Sequence, residues 1–300
     1  REYVRQNTPK EWPELLWLLS TIEDEPLGPL AVLPLASCAA VSENLLEAIP
    51  VAAAWEVFNL AMRILDDLED QDDNNALWTV VGLPRAFNFA GALYALCNKM
   101  LVAAPWSPSK YKIINQEFIR AAMRLAAGQD RDLRATTYSL ENYWQTIEDK
   151  NASAFELACT AGAICGTTND TLISACRTFG HHLGIVIQLF DDFEGIWEPT
   201  RISDLVRGKI TLPIIYGLTT IHNRQEELQR LITNGNFTSS SDQILEILDS
   251  IHTRDFMIWT ALQERERALK ALVVCPGKSG VTALAAYIST MFAHIEDAIK

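Results

Sequence analysis

Positive charge is scarce in this chain. Lys and Arg number 25 against 38 Asp and Glu, for a formal net charge of −13 over 300 residues. Nucleic acid and anionic membrane surfaces both call for a basic patch, so neither is an expected partner. No apolar run reads as long enough to span a bilayer, and no signal-peptide pattern is visible, although Arg1 points to a trimmed start. Alternating β-branched runs between turn pairs are missing, which argues against a sheet. The six cysteines lack metal-ligand spacing. Most sit in Ala-rich stretches, where a reduced cysteine behaves as a small hydrophobe. A reducing, cytoplasmic setting is the expectation.

Helical periodicity dominates what is there. Residues 41–66, 86–104, 111–135, 139–165, 169–192, 211–231, 242–273 and 280–299 read as helices. The breaks carry Pro, Gly, Asn or Ser, as at Pro105-Trp106-Ser107-Pro108 and Gly166-Thr167-Thr168-Asn169. Many long helices without a linker-like tract predict one all-α bundle spanning residues 1–300.

Two acidic clusters each follow an apolar helical run: Asp66-Asp67-Leu68-Glu69-Asp70 and Asp191-Asp192-Phe193-Glu194. Asp66 and Asp70 are four apart, so they share a helix face one turn from each other. Carboxylates at a helix C-terminus oppose the macrodipole, and paying that cost twice points to an external cation. Facing oxygen ligands with room for phosphate suit Mg²⁺, and the implied ligand is a diphosphate. The bland reading of Asp66–Asp70, the minority one even for that cluster alone, is a solvated acidic turn, and that of Lys150 is a surface lysine paired to Glu148 or Asp149. Lys209 alone is more often solvated than functional. His181-His182 reads as packed or surface histidine rather than ligand.

Together these segments resemble the trans-isoprenyl diphosphate synthases, the polyprenyl synthetase family. Ala54 through Asp70 resembles the helix with the family's first DDxxD motif, and Gly128-Gln129 its mid-chain Gly-Gln motif. Tyr143, Ile147, Lys150 and Ala152 resemble its Lys-Thr-Ala segment, with Asn151 in the Thr place. Gly180, Gly184, Gln188, Asp191 and Asp192 resemble its second Asp-rich motif, and Gly208 to Pro213 its Gly-Lys-x-Thr-Leu-Pro block. The resemblance implies an isoprenoid-synthase helical bundle with a central apolar cavity, and by family a homodimer. It implies three Mg²⁺ ions with substrate bound, held by Asp66, Asp67, Asp70, Asp191 and Asp192. Lys150, Gln188 and Lys209 are implied as catalytic, and Phe58, Ala61, Met62, Gln129 and Arg201 as substrate-binding.

The departures set the functional expectation. Where the family carries Gly-Gly-Lys-Arg-x-Arg-Pro for isopentenyl diphosphate, this chain has Glu23-Asp24-Glu25-Pro26-Leu27-Gly28-Pro29. Asn59 replaces a His or Gln of that site, and Asn75-Ala76-Leu77 replaces an Arg-Arg-Gly. Three missing charge-assisted contacts at about 1.5–3 kcal/mol each are roughly 5–9 kcal/mol, or about 10³ to 10⁶ in affinity. The second motif also ends in Gly195 where the family has Asp, which leaves Glu194 or Asp204 to substitute. The leading expectation is therefore a Mg²⁺-dependent enzyme that ionises one allylic isoprenyl diphosphate and then cyclises or deprotonates the cation. The alternatives are transfer to a neutral acceptor, chain elongation using replacement cations such as Arg63 or Arg85, and a non-catalytic partner subunit. Small Ala61, five before Asp66, predicts a C15–C20 substrate with C20 favoured, and Phe58 and Trp55 are the expected deeper stops.

Overall fold

The computed structural model describes residues 1–24, 32–42, 44–70, 76–134, 139–198, 204–235 and 237–292. All regular structure among them is helical. The helices are α1 (Glu2–Asn7), α2 (Pro13–Asp24), α3 (Leu33–Ser42), α4 (Ile49–Asp70), α5 (Leu77–Val81), α6 (Leu83–Val102), α7 (Pro108–Leu133) and α8 (Leu140–Ile147). After a π-helical turn at Glu148–Ala152 come α9 (Ser153–Gly166), α10 (Asp170–Trp197), α11 (Asp204–Arg207), α12 (Leu212–Thr219) and α13 (Gln225–Thr233). α14 (Phe237–Ser250), α15 (Thr253–Ala271) and α16 (Lys278–Thr290) complete the order.

Local chemistry sets the boundaries. The Ser107 hydroxyl accepts from Lys110 N–H, Ser139 from Asn142 N–H, and the Asn169 carbonyl from Thr171 and Leu172 N–H. Each satisfies first-turn donors that no helix can satisfy internally. Pro84, Pro108 and Pro213 occupy first-turn positions, where a missing N–H costs nothing. Four expected helices divide. In the 41–66 run, residues 41 and 42 end α3 while α4 begins only at Ile49. The 139–165 run is interrupted by the π turn, 211–231 breaks after Thr219, and 242–273 breaks at His252, which has φ 58°. Residues 293–299 of the last expected helix lie outside the described residues.

α4 is the spine. Val51, Ala54, Trp55, Val57, Phe58, Ala61 and Ile64 are all buried. It packs against α6 and α9, while α9 also lies against α3 and α10. The stretch Leu46–Asp70 is apolar and long enough to cross a bilayer, contrary to the reading from sequence, but 67% of its most apolar 18 residues is buried inside the bundle. A core helix enclosed by other helices meets the same length and composition test as a membrane span. A second, smaller apolar cluster gathers Ile196, Leu205, Ile214, Leu228, Ile244, Ile247 and Leu248. All six cysteines are free.

The histidine pair is structural. His182 Nδ1 lies 2.6 Å from Glu264 Oε2, and His181 Nδ1 lies 3.8 Å from Glu156 Oε2. Buried Glu156 also pairs with Arg120, Arg124 and Arg177 at 2.7–3.1 Å, which ties α7, α9 and α10 together behind the cavity described below.

Candidate active site

A cavity of about 690 Å³ opens between α4, α6, α7 and α9. Its walls are largely apolar: Phe58, Met62, Leu65, Phe87, Ala90, Tyr94, Leu125 and Phe155 among them. Its rim is polar, with Asp66, Glu69, Gln129, Lys150 and Asn151. A pocket of this size with a few convergent polar groups is the usual form of a small-molecule site.

Helix periodicity sorts the α4 residues. Successive residues turn about 100°, so Phe58, Met62 and Asp66 lie near one line. Of the three α4 residues named as substrate-binding, Phe58 and Met62 line the cavity and Ala61 does not. Ala61 is fully buried and turned away from Met62 into the core. The expected stops are partly in place. Phe58 lines the cavity and meets Tyr94, also lining, at 6.2 Å between centroids and Phe118 behind it at 5.7 Å. Trp55 lies beyond the lining, its Nε1 donating to Ala154 O at 3.1 Å. Sequence reasoning missed Gly91 as a lining residue. A Cβ built there meets no heavy atom within 4 Å. An isolated glycine inside a helical pattern was the available signal.

The lysines cross to the first acidic cluster. Lys150 Nζ lies 3.1 Å from Asp66 and 3.0 Å from Asp132. It does not pair with its neighbours Glu148 or Asp149; Asp149 is taken by Arg124 and Arg131. Burial disfavours the lysine charge, but Asp66, Asp132 and Asp70 outweigh it and hold the pKa above the ordinary value. Burial raises the Asp66 carboxyl, Lys150 opposes that, and Asp70 adds to it. Lys209 Nζ lies 3.3 Å from Asp70, and Gln129 Nε2 donates to Asp70 at 3.4 Å.

Lys150 reaches Asp66 because of the π turn. Such a turn inserts a residue and re-aims the side chains after it. Two glycines make room for it. A Cβ on Gly128 of α7 would stand 2.5 Å from Lys150 N, and one on Gly184 of α10 would stand 2.5 Å from Ala152 Cα. The backbones of α7 and α10 thus clamp the turn from two sides.

The second cluster differs from its expected form. α10 continues to Trp197, so Asp191 and Asp192 sit more than a turn before its end. The macrodipole argument therefore applies to Asp66–Asp70 and loses force here. Asp191 is exposed, whereas Asp192 is 2% exposed and turned inward. Its oxygens accept from Tyr143 Oη at 2.8 Å, Gln188 Nε2 at 2.6 Å and Leu212 N–H at 3.0 Å. Burial lifts its pKa to about 7, against the pull of those three donors. Asp192 is thus a buried junction of α8, α10 and α12, not the open ligand the sequence suggested. Gln188 Oε1 accepts in turn from Asn151 at 2.5 Å, which links the junction to the cavity rim.

Gly195 is the remaining departure. The Asp204 carboxylate lies against its Cα, in the space a side chain at 195 would fill. Of the two candidate substitutes, Asp204 therefore stands in that place. Gly195→Ala should cost roughly 1–3 kcal/mol through overpacking. Combining it with Asp204→Gly should recover most of that loss in urea unfolding. Additive effects in the double-mutant cycle would disprove the contact. Arg201 and Glu25–Pro29 lie outside the described residues, as does Asn75.

The residues fit a hard divalent cation in one respect. Asp66 offers oxygen ligands at the rim, Asp70 stands one turn on within reach of Gln129 and Lys209, and Gln129 Oε1 is buried without a partner. Among the described residues no three His, Cys, Asp or Glu groups converge as a ready-made cage. The remaining ligands would have to come from a bound diphosphate, as Mg²⁺ sites commonly arrange.

The sequence profile of the polyprenyl synthetase family matches residues 27–251. Geranylgeranyl diphosphate synthase of Mycobacterium tuberculosis H37Rv is 27% identical over 225 residues, 71% of this chain and 64% of that one. Tryptophan prenyltransferase ComQ of Bacillus subtilis is 27% identical over 194 residues, 64% of this chain and 62% of that one. The chain thus spans just under two thirds of the length of these curated relatives. Geranylgeranyl pyrophosphate synthetase from Pyrococcus horikoshii superimposes with a TM-score of 0.88 at 22% identity, covering 97% of this chain and 94% of that one.

Proposed function

From the premise that the chain belongs to the polyprenyl synthetase family, we propose that it transfers the isoprenyl group of an allylic diphosphate to a second isoprenyl diphosphate, with Mg²⁺. The observation that carries this reading is an apolar cavity whose rim holds Asp66, Gln129 and Lys150. The apolar wall takes the tail and excludes water, and the rim faces the diphosphate. The divalent ion supplies electrophilic stabilisation of the leaving group when bound, and Asp66 and Asp70 would hold it, with exposed Asp191 as the candidate from the second acidic cluster. Lys150, kept protonated by its carboxylates, adds fixed positive charge for the departing diphosphate. The allylic C–O bond breaks and diphosphate leaves with the electron pair. The acceptor's alkene pair then forms the new C–C bond, and loss of a proton from the adjacent carbon restores a double bond.

This departs from the cyclisation expected from sequence. The relatives named above act as prenyl diphosphate synthase or prenyltransferase by name, which favours transfer. The Bacillus relative supports a second reading, transfer to a neutral aromatic acceptor. The deciding assay incubates purified protein and Mg²⁺ with an allylic diphosphate, alone, with isopentenyl diphosphate, or with indole. Elongated alcohols after phosphatase treatment support the first reading. A cyclic product from the donor alone would replace it.

A donor of C15–C20, with C20 favoured, remains part of this reading, on different residues. From Asp66 to Phe58 the rise along α4 is roughly 12 Å. Met62 is flexible, and Gly91 leaves open space beside it. Met62→Phe and Gly91→Leu should each shift preference toward shorter donors by at least fivefold in relative kcat/KM. Ala61→Phe should instead destabilise the fold without changing preference. Equal donor preferences in all three variants would place the tail elsewhere. The reading includes a homodimer, for which exposed Ile119 and Met123, one turn apart on α7, offer an apolar face.

A further inference from the structure

Arg63 is isolated in both the sequence and the structure. From residue 11 to residue 84 it is the only Lys or Arg, amid fourteen Asp and Glu. That one cation falls three residues before Asp66, on the helix that forms the cavity wall. Arg63 lines the cavity with Asn59, one turn below it on the same face. Among the described residues one other cation lines that cavity, Lys150, and it is already held by Asp66 and Asp132. No acidic side chain among the described residues forms an ion pair with Arg63. Arg85, the other candidate replacement, lies over the Phe89 ring at 5.8 Å and does not line the cavity.

A guanidinium presents a planar fork of donors that matches phosphate oxygens in a bidentate manner. Lining the same cavity as Asp66 and Glu69 and ion-paired to no carboxylate among the described residues, it is suited to an incoming anion rather than to internal pairing. Asn59 adds a neutral amide donor on the same side. We propose that Arg63, with Asn59, binds the anionic head of the second substrate, an isoprenyl diphosphate acceptor, and so replaces the basic residues absent from 23–29 and 75–77. The inference rests on the transfer reading above and names the acceptor's chemistry within it.

The test is steady-state kinetics of Arg63→Met and Arg63→Lys, with allylic and isopentenyl diphosphates varied separately. Arg63→Met should raise KM for isopentenyl diphosphate at least 10-fold, with less than a twofold change in KM for the allylic donor. Arg63→Lys should recover part of the loss, since it keeps the charge but not the fork. A rise confined to the allylic KM would assign Arg63 to the donor and overturn the proposal, as would unchanged kinetics. Wild-type protein that consumes the donor but never isopentenyl diphosphate would overturn it together with the transfer reading. Wild-type elongation that is insensitive to Arg63 would overturn this inference alone.

Discussion

Asp66→Asn should lower turnover of an allylic diphosphate by at least 10²-fold while leaving the far-UV circular dichroism of the helical fold unchanged. Asparagine keeps the size and removes the charge, so the loss reports on the carboxylate. Asp66 lines the cavity, as Glu69 of the same cluster does, and it stands 3.1 Å from Lys150. A carboxylate that holds a cation on a leaving diphosphate acts where charge develops, which is where single substitutions cost most. Asp70→Asn and Asp191→Asn should follow in the same direction. Chelation should abolish turnover and added Mg²⁺ should restore it. Near wild-type activity in Asp66→Asn would show that the metal assignment is wrong. Asp192→Asn should behave differently, with the loss appearing first as lower stability, because its carboxylate is already committed to Tyr143, Gln188 and Leu212.

Gly128→Ala is the second large effect. Its Cβ would stand 2.5 Å from Lys150 N and 2.9 Å from Lys150 Cα. The nearest atoms are backbone, so the π turn itself must shift. A displacement near 1 Å of a positioned charge commonly costs about 10²-fold. The variant should fold, lose roughly 1–3 kcal/mol to overpacking, and lose at least 10-fold in kcat. KM for the donor should move less, since the apolar walls stay in place. Wild-type kcat in a folded Gly128→Ala would mean that Lys150 need not be placed by the turn. Gly184→Ala presses on the same turn from α10 and should give the same pattern.

What was legible in the sequence is what repeats along one helix. The 3.6-residue period revealed the helices, and the apolar runs before Asp66 and Asp191 revealed which of them carry the acidic motifs. The order and spacing of Gly128, Lys150, Gln188 and Lys209 were enough to indicate the family. The tertiary structure decided everything that depends on rotation about a helix axis or on contact between distant segments. Ala61 and Met62 are neighbours in sequence, yet about 100° of rotation sends one into the core and the other into the cavity. Asp191 and Asp192 read alike, but α10 continues past them and buries only the second. Lys150 looked like a partner of Glu148 or Asp149 until a π turn, clamped by Gly128 and Gly184, aimed it across to Asp66 and Asp132. The Asp204 carboxylate fills the space beside Gly195, nine residues away in sequence. Local spacing carries no information about such pairs, because they are set by how whole helices pack.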